Sequence, residues 1–489
     1  MDSRWMVGAL ACMLAAGCGG SRDFTDVDAT GAAVTEEAVA ARGVLLESRD
    51  ESGSVATLAD GSAGAVLRAP GDHAFFRAFG TNDRACIHCH APSAGWTINP
   101  EIVQLRFTNP LDPADPACLA DPFRCRAERD PRDWGHDPLF RPVDGAVSPS
   151  ADVSTTAARL AAYRLLLEKA LIRVGMPVPA DAEFTLVAVD DPYHHASAAE
   201  LSLFRRPLPA TNLATGDGSL TLSAIMWDGR EADLAHQAND ATRGHAQALR
   251  DLTAAEQQEI VDFETHLHTA QLRDRRGGDL SRRGGHGGPS ALAPQPFYPG
   301  INDALAGDAR TGAPFDRDVF ELYRAWRVSR DPAQARVARG EALFNRRTFV
   351  IRGVGGLNDA LGKPEIVGTC STCHDSPGYG HHSLPLALDI GIADGTRRTP
   401  DLPLYTLRNK HTGETVRTTD PGRALVTGRW SDIGKFKGPI LRGVAARAPY
   451  FHNGSAASLY DVVRFYDERF TIGLSDDERR DLIAFLRTL

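Results

Sequence analysis

Two short stretches of this chain carry residues of the right type and spacing for chemistry. They are CIHCH, with Cys86, Cys89 and His90, and CSTCH, with Cys370, Cys373 and His374. Two thiols three positions apart reach the two vinyl groups of one porphyrin, and the histidine that follows offers its imidazole to the iron. A zinc site or a redox CxxC pair is the plainer reading of one such motif. A second copy with the same trailing histidine, and no further CxxC pair to complete a zinc set, points instead to two covalently attached c-type haems.

A sixth ligand for each iron is the next question. High-potential c-type haems commonly pair histidine with methionine. The chain has five methionines, Met1, Met6, Met13, Met176 and Met226, and none lies in the second half. For the iron on His374 that leaves histidine, tyrosine or no ligand. In APYFHNGSAASLYDVVRFY, Tyr466 lies seven residues after Leu459, so two helical turns put both on one face. A core tyrosine on an amphipathic helix would show the same spacing. The duplicated position in the first half, seven after Leu234, is Ala241, which cannot bind iron. On this reading one iron is capped and the other open.

These groups need scaffolds, and the chain repeats one. LTAAEQQEIVDFETHL opens on a capping box of Thr253 and Glu256, and LSDDERRDLIAFLRTL on one of Ser475 and Glu478. Apolar residues follow at helical spacing: Ile260, Phe263 and Leu267, then Leu482, Phe485 and Leu489. WDGREADLAHQ, from Trp227, matches HNGSAASLYDV, from His452, as aromatic ring, Asp or Asn, Gly, four residues, Leu. The pattern predicts a mostly α fold of two cytochrome c-like domains, each around one covalent haem. The first spans residues 70–272 and the second 315–489. A Gly/Pro/Arg-rich linker at 273–314 joins them, and a flexible tether at 19–69 precedes them.

Residues 1–18 read as a signal peptide: Arg4, then thirteen apolar or small residues from Trp5 to Gly17, too short to span a bilayer. It ends LAAGC, similar to a lipobox with Cys18 as the lipidated residue. Ala15 stands where leucine is usual, and ordinary cleavage is the alternative. Either route exports the chain to the periplasm or cell envelope, where c-type haem is attached and disulfides persist. Cys118 and Cys125 then read as a small loop disulfide. A net charge of −9 argues against nucleic acid, and contact with a membrane is expected only through a lipid anchor. An acidic surface suits a basic redox partner, and is equally an ordinary solvated surface.

From about Gly80 to Leu489 the chain resembles the bacterial di-haem cytochrome c peroxidase family, especially its MauG-like branch. The motifs are GTNDRACIHCH, RRPLPATN, MWDGRE, GTCSTCH, KFKGPILRGVAARAPYFHNGS and LYDVVRFY, in the family's order. The resemblance implies hydrogen peroxide as substrate at the N-terminal haem. It implies a small c-type cytochrome or other redox protein as donor to the C-terminal haem. Tyr466 matches the distal ligand of the MauG-like branch, with His381 and His382 next in line should it fail. Trp227 matches a tryptophan between the haems, and His452 a histidine near their edges. Asn212, with the carbonyls of Arg447 and Pro449, matches a calcium site between the domains. One departure weakens the match. Peroxide cleavage needs a group that moves a proton from one oxygen to the other, and the family's glutamate is Gln247 here. His245 stands two residues earlier, and three readings stay open for it: acid/base, iron ligand, or solvated loop residue. The competing function is a non-enzymatic electron-transfer cytochrome with both irons six-coordinate.

Overall fold

The computed structural model describes residues 43–108, 137–213 and 225–489. The leader with Cys18, and the Cys118 and Cys125 pair, lie outside these residues. Both capping boxes form as read: Thr253 and Glu256 open helix Ala254–Thr265, and Ser475 and Glu478 open helix Asp476–Leu486. Each box satisfies donors that a helix start leaves unpaired. Ile260 and Phe263 are buried against the first motif's surroundings, with Trp96, Phe75 and Cys86. Leu482, Phe485 and Leu489 are buried beside Phe344, Leu459 and Cys370. Each CxxCH motif therefore rests on a core closed by its own late helix.

The repeat is also written in the backbone. Ile225 bridges Glu231, and Tyr450 bridges Ala456 in the same way. Met226 and Phe451, one residue on, are both left-handed, with φ of 74° and 66°. Asp233 caps helix Leu234–Gly244 and Ser458 caps helix Leu459–Phe470. Leu234 and Leu459 are thus the first residues of equivalent helices, and Ala241 and Tyr466 occupy equivalent turns.

The mostly α expectation is corrected. The protein is 31% helical and 19% strand, with several sheets. Strands Val44–Asp50, Gly53–Ala59, Leu267–Asp274 and Gly278–Asp279 form one antiparallel sheet in that order. Strand Phe184–Asp190 pairs with Leu404–Asn409, which pairs with Thr415–Thr418. The segments FTLVAVD and LYTLRN are rich in β-branched and aromatic residues, the composition a pleated, half-buried surface favours. Leu267, read as helical, begins a strand, because helix Ala254–Thr265 has ended.

Two boundaries move as well. The tether expected over 19–69 gives way from Val44 onward to a hairpin and helix Gly61–Arg68. Val55 and Ala59 of that hairpin are buried, and its second strand pairs with Leu267–Asp274. The linker expected over 273–314 carries Leu280, Leu292, Phe297 and Ile301 into the core. Its glycines and prolines shape turns, but its apolar residues pack. Among the described residues no helix is long and apolar enough to cross a membrane.

Candidate haem and peroxide site

Both CxxCH motifs fold into the same tight turn. His90 N–H donates to the Cys86 carbonyl at 3.1 Å, and His374 N–H to the Cys370 carbonyl at 3.2 Å. The imidazoles are oriented alike. His90 Nδ1 lies 3.0 Å from the Trp96 carbonyl and His374 Nδ1 2.8 Å from the Gly380 carbonyl. A carbonyl only accepts, so Nδ1 carries the proton in both rings and Nε2 keeps its lone pair. Burial pushes both histidines down to about 4, which keeps them neutral. A neutral imidazole with a fixed tautomer and a free Nε2 is what an iron ligand requires. The four thiols are half-buried, and desolvation raises each of them.

Around the first motif lies a cavity open to solvent on one side. Cys86, Cys89 and His90 line it, together with Ala241, His245, Trp227 and Lys437. Lys437 is pushed down to about 8, chiefly by burial, and its ammonium has no hydrogen-bond partner among the described residues. An unpartnered cation in this cavity fits a porphyrin with its carboxylate arms. Cys86, Cys89 and His90 would hold one haem, and Cys370, Cys373 and His374 the other.

Tyr466 stands next to the second motif. Burial, with Cys373 and Cys370 close by, pushes its hydroxyl above the ordinary value of 10. Its ring is stacked on Phe470 at 6.2 Å and flanked by Phe465 at 5.2 Å and Phe451 at 6.2 Å. The hydroxyl has no hydrogen-bond partner among the described residues. Of the fallback histidines, His381 lines the first cavity and donates Nε2–H to the Asn212 carbonyl at 3.3 Å. His382 Nδ1 accepts from Leu384 N–H at 3.2 Å, and its Nε2 is buried without a partner.

Trp227 and His452 are equivalent residues of the repeat, and they meet. Their ring centroids are 6.1 Å apart, and His452 stacks on Phe436 at 4.0 Å and 17°. Trp227 Nε1–H donates to the Arg206 carbonyl at 2.7 Å, and Arg206 N–H to the His452 carbonyl at 2.7 Å. An aromatic path therefore crosses between the halves. Burial holds His452 at about 4.

His245 caps the end of helix Leu234–Gly244 and lines the first cavity, across from the turn that carries His90. Its Nδ1 lies 2.8 Å from Asp144 Oδ2. It is therefore not a solvated loop residue. Gln247 is a different matter. Its backbone is left-handed at φ 54°, and its amide oxygen faces the Thr81 hydroxyl at 3.4 Å, outside the cavity lining. Gln247, expected to take part in the chemistry, faces Thr81 because the turn after Ala246 rotates it away from the cavity.

The residues expected to hold calcium have partners within the protein. Asn212 Oδ1 accepts Thr269 N–H at 2.8 Å while its Nδ2–H donates to the Thr269 carbonyl at 2.8 Å. The amide is committed to a strand edge. The Arg447 carbonyl accepts from Arg206 Nη2 at 2.9 Å, and the same guanidinium reaches the Ile98 carbonyl at 2.7 Å and the Lys169 carbonyl at 3.0 Å. Calcium needs oxygen donors that face a vacancy. Here the buried Arg206 guanidinium takes up the Arg447 carbonyl together with those of Ile98 and Lys169.

Two residues of the cavity escaped sequence reasoning. Glu264 is buried in the lining, and burial pushes its carboxyl up to about 8. Its signal was faint: an acid four residues after Ile260, on the apolar face of its helix. Asp144 gave none, because it stands 101 residues from His245.

Comparison with known proteins places the chain. Residues 435–472 match the family model described as RoxA-like, cytochrome c-like. The chain is 34% identical over 140 residues to cytochrome-c peroxidase IdrP1 of Pseudomonas sp. strain SCT, covering 24% of this chain and 36% of that one. It is 26% identical over 233 residues to the cytochrome c551 peroxidase of Nitrosomonas europaea, covering 46% of this chain and 62% of that one. A solved structure titled as a MauG-like protein associated with microbial copper homeostasis matches with a TM-score of 0.32 and 17% identity. That match covers 60% of this chain and 75% of the other. The chain thus spans about a third of the length of the IdrP1 relative. The peroxidase relatives and the cytochrome c-like segment imply covalently bound haem c.

Proposed function

We propose that the chain is an exported oxidoreductase of the di-haem cytochrome c peroxidase type that reduces hydrogen peroxide at its N-terminal haem, a reading its similarity to cytochrome-c peroxidases supports. The balance is one peroxide, two protons and two electrons to two waters, the electrons coming from a reduced redox protein such as a small c-type cytochrome. Bound haem supplies the one-electron redox chemistry. The chain supplies the rest. His245 takes the proton from one peroxide oxygen at Nε2 and returns it to the other, so that water rather than hydroxide leaves. Ala241, with no donor atom, leaves room in the cavity for the peroxide. Tyr466 would hold the iron of the second haem, which would receive the electrons, with Trp227 and His452 as the path between. Lys437 would hold a haem carboxylate. The leader, with Cys18 as anchor, directs the protein to the periplasmic face of the cell envelope.

A single observation carries this reading. A histidine held by a carboxylate lines the same cavity as the first CxxCH motif, while the equivalent helix turn there bears alanine and its counterpart bears tyrosine. The test is rapid mixing of the oxidised holoprotein with hydrogen peroxide, followed by haem absorbance. The first haem's absorption shifts quickly in the wild type, and His245→Ala slows the shift by about a hundredfold or more. A wild type inert to peroxide would leave the electron-transfer cytochrome as the better account.

A further inference from the structure

The environment of His245 goes further than its presence in the cavity. Asp144 Oδ2 receives the imidazole at 2.8 Å, and the carboxylate side chain is only 14% exposed. Arg84 braces both partners. Its Nη1 reaches Asp144 Oδ2 at 3.3 Å and the His245 carbonyl at 3.1 Å. Its remaining donors go to the carbonyls of Pro138, Leu139 and Arg141. Asn82 Nδ2–H adds a second bond to the His245 carbonyl at 2.8 Å. The backbone of Asp144 is left-handed, with φ 64°, a conformation that non-glycine residues keep only where their surroundings impose it. Burial alone would raise the Asp144 carboxyl, but His245 and Arg84 together hold it below the ordinary value, so it is ionised.

From this geometry we infer that Asp144 is a positioning residue: it fixes the Nδ1–H tautomer of His245 and presents the basic Nε2 to the cavity. An anionic carboxylate accepts and never donates, so the ring proton must sit on Nδ1. Nε2 then carries the lone pair that takes a proton from an incoming acid. Arg84 keeps the carboxylate charged and anchors the histidine's backbone, so ring and carrier move together. The arrangement parallels the carboxylate that orients a general-base histidine in hydrolytic triads, on an unrelated site.

The inference rests on the reading of His245 as proton acceptor, and the test separates the two. Hydrogen cyanide must lose a proton before cyanide binds oxidised haem, whereas carbon monoxide binds reduced haem with no proton transfer. Association rates of both probes are measured on the holoprotein by rapid mixing. Asp144→Asn slows cyanide association at least about tenfold, because an amide no longer dictates the tautomer. The same variant leaves carbon monoxide association unchanged. Asp144→Glu restores most of the cyanide rate, and Asp144→Asn adds nothing to His245→Ala. If His245→Ala slows cyanide and Asp144→Asn does not, Asp144 has no positioning role and the reading of His245 stands. If Asp144→Asn slows both probes alike, it only packs the cavity, and the inference fails. If neither variant changes cyanide association, the reading of His245 falls and the inference falls with it.

Discussion

Replacing Tyr466 by phenylalanine removes one oxygen and keeps the ring. A phenol ordinarily ionises near 10, so a phenolate ligand at pH 7 requires the iron to favour the anion by at least a thousandfold, about 4 kcal/mol. Burial, and then Cys373 and Cys370, push the hydroxyl further up, so that figure is a floor. Ferrous iron has one positive charge fewer and forfeits most of this attraction. A tenfold change in a one-electron couple is about 59 mV, which converts 4 kcal/mol to roughly 170 mV. Tyr466→Phe should therefore raise the second haem's reduction potential by about 100–200 mV and change its ligand-field spectrum. The hydroxyl has no partner, so its removal strands none, and stability should change by less than about 1 kcal/mol. Spectroelectrochemical titration of the holoprotein, with thermal melts beside it, reads both quantities. An unchanged potential and spectrum would refute the coordination and leave Tyr466 as a core residue among Phe451, Phe465 and Phe470.

The other expectations are simpler to state. Denatured protein should retain two haems per chain in a pyridine haemochrome assay, and Cys86→Ala with Cys89→Ala should leave one. A calcium chelator should change neither the melting temperature nor the haem spectrum, because the Asn212 amide is bonded to Thr269 and the Arg447 carbonyl to Arg206; a chelator-induced shift would overturn that assignment. Glu264 has a folded value of about 8 against an ordinary 4.5, so its neutral form is the one the fold favours. Its contribution is whole below about pH 4.5 and is lost as pH rises towards 8. Glu264→Gln should flatten the corresponding decline in melting temperature between about pH 5 and 8.5.

Local signals in the chain proved the dependable ones. A capping box needs four residues and a haem motif five, and both form wherever the tertiary structure puts them. The repeat from Trp227 and its copy from His452 was readable because each copy encodes the same turn and cap. What stayed hidden depends on distance. FTLVAVD says nothing of LYTLRN, its partner across more than two hundred residues, so the strand content was underestimated. Asn212 and the Arg447 carbonyl suggested a calcium site only through the resemblance, and nothing in the sequence foretells that Arg206 donates to the Arg447 carbonyl. Asp144 sits in RPVDGA, which reads as an ordinary turn, and only folding brings it to His245. Gln247 turns away because one left-handed residue redirects a loop.

Strand Phe184–Asp190 belongs to the first half and completes its hydrogen bonds on Leu404–Asn409 of the second. Nearby, the Tyr405 hydroxyl donates to the Ser202 carbonyl at 2.7 Å, across 203 residues of sequence. Arg206 of the first half donates to the Arg447 carbonyl of the second. Loops of that length must close before either contact is made, so assembly is slow and late in folding. Both CxxCH motifs, by contrast, are short local turns that an attachment enzyme can reach on an unfolded chain. Haem loading can therefore precede the docking of the halves, and docking then buries the aromatic path in one cooperative step.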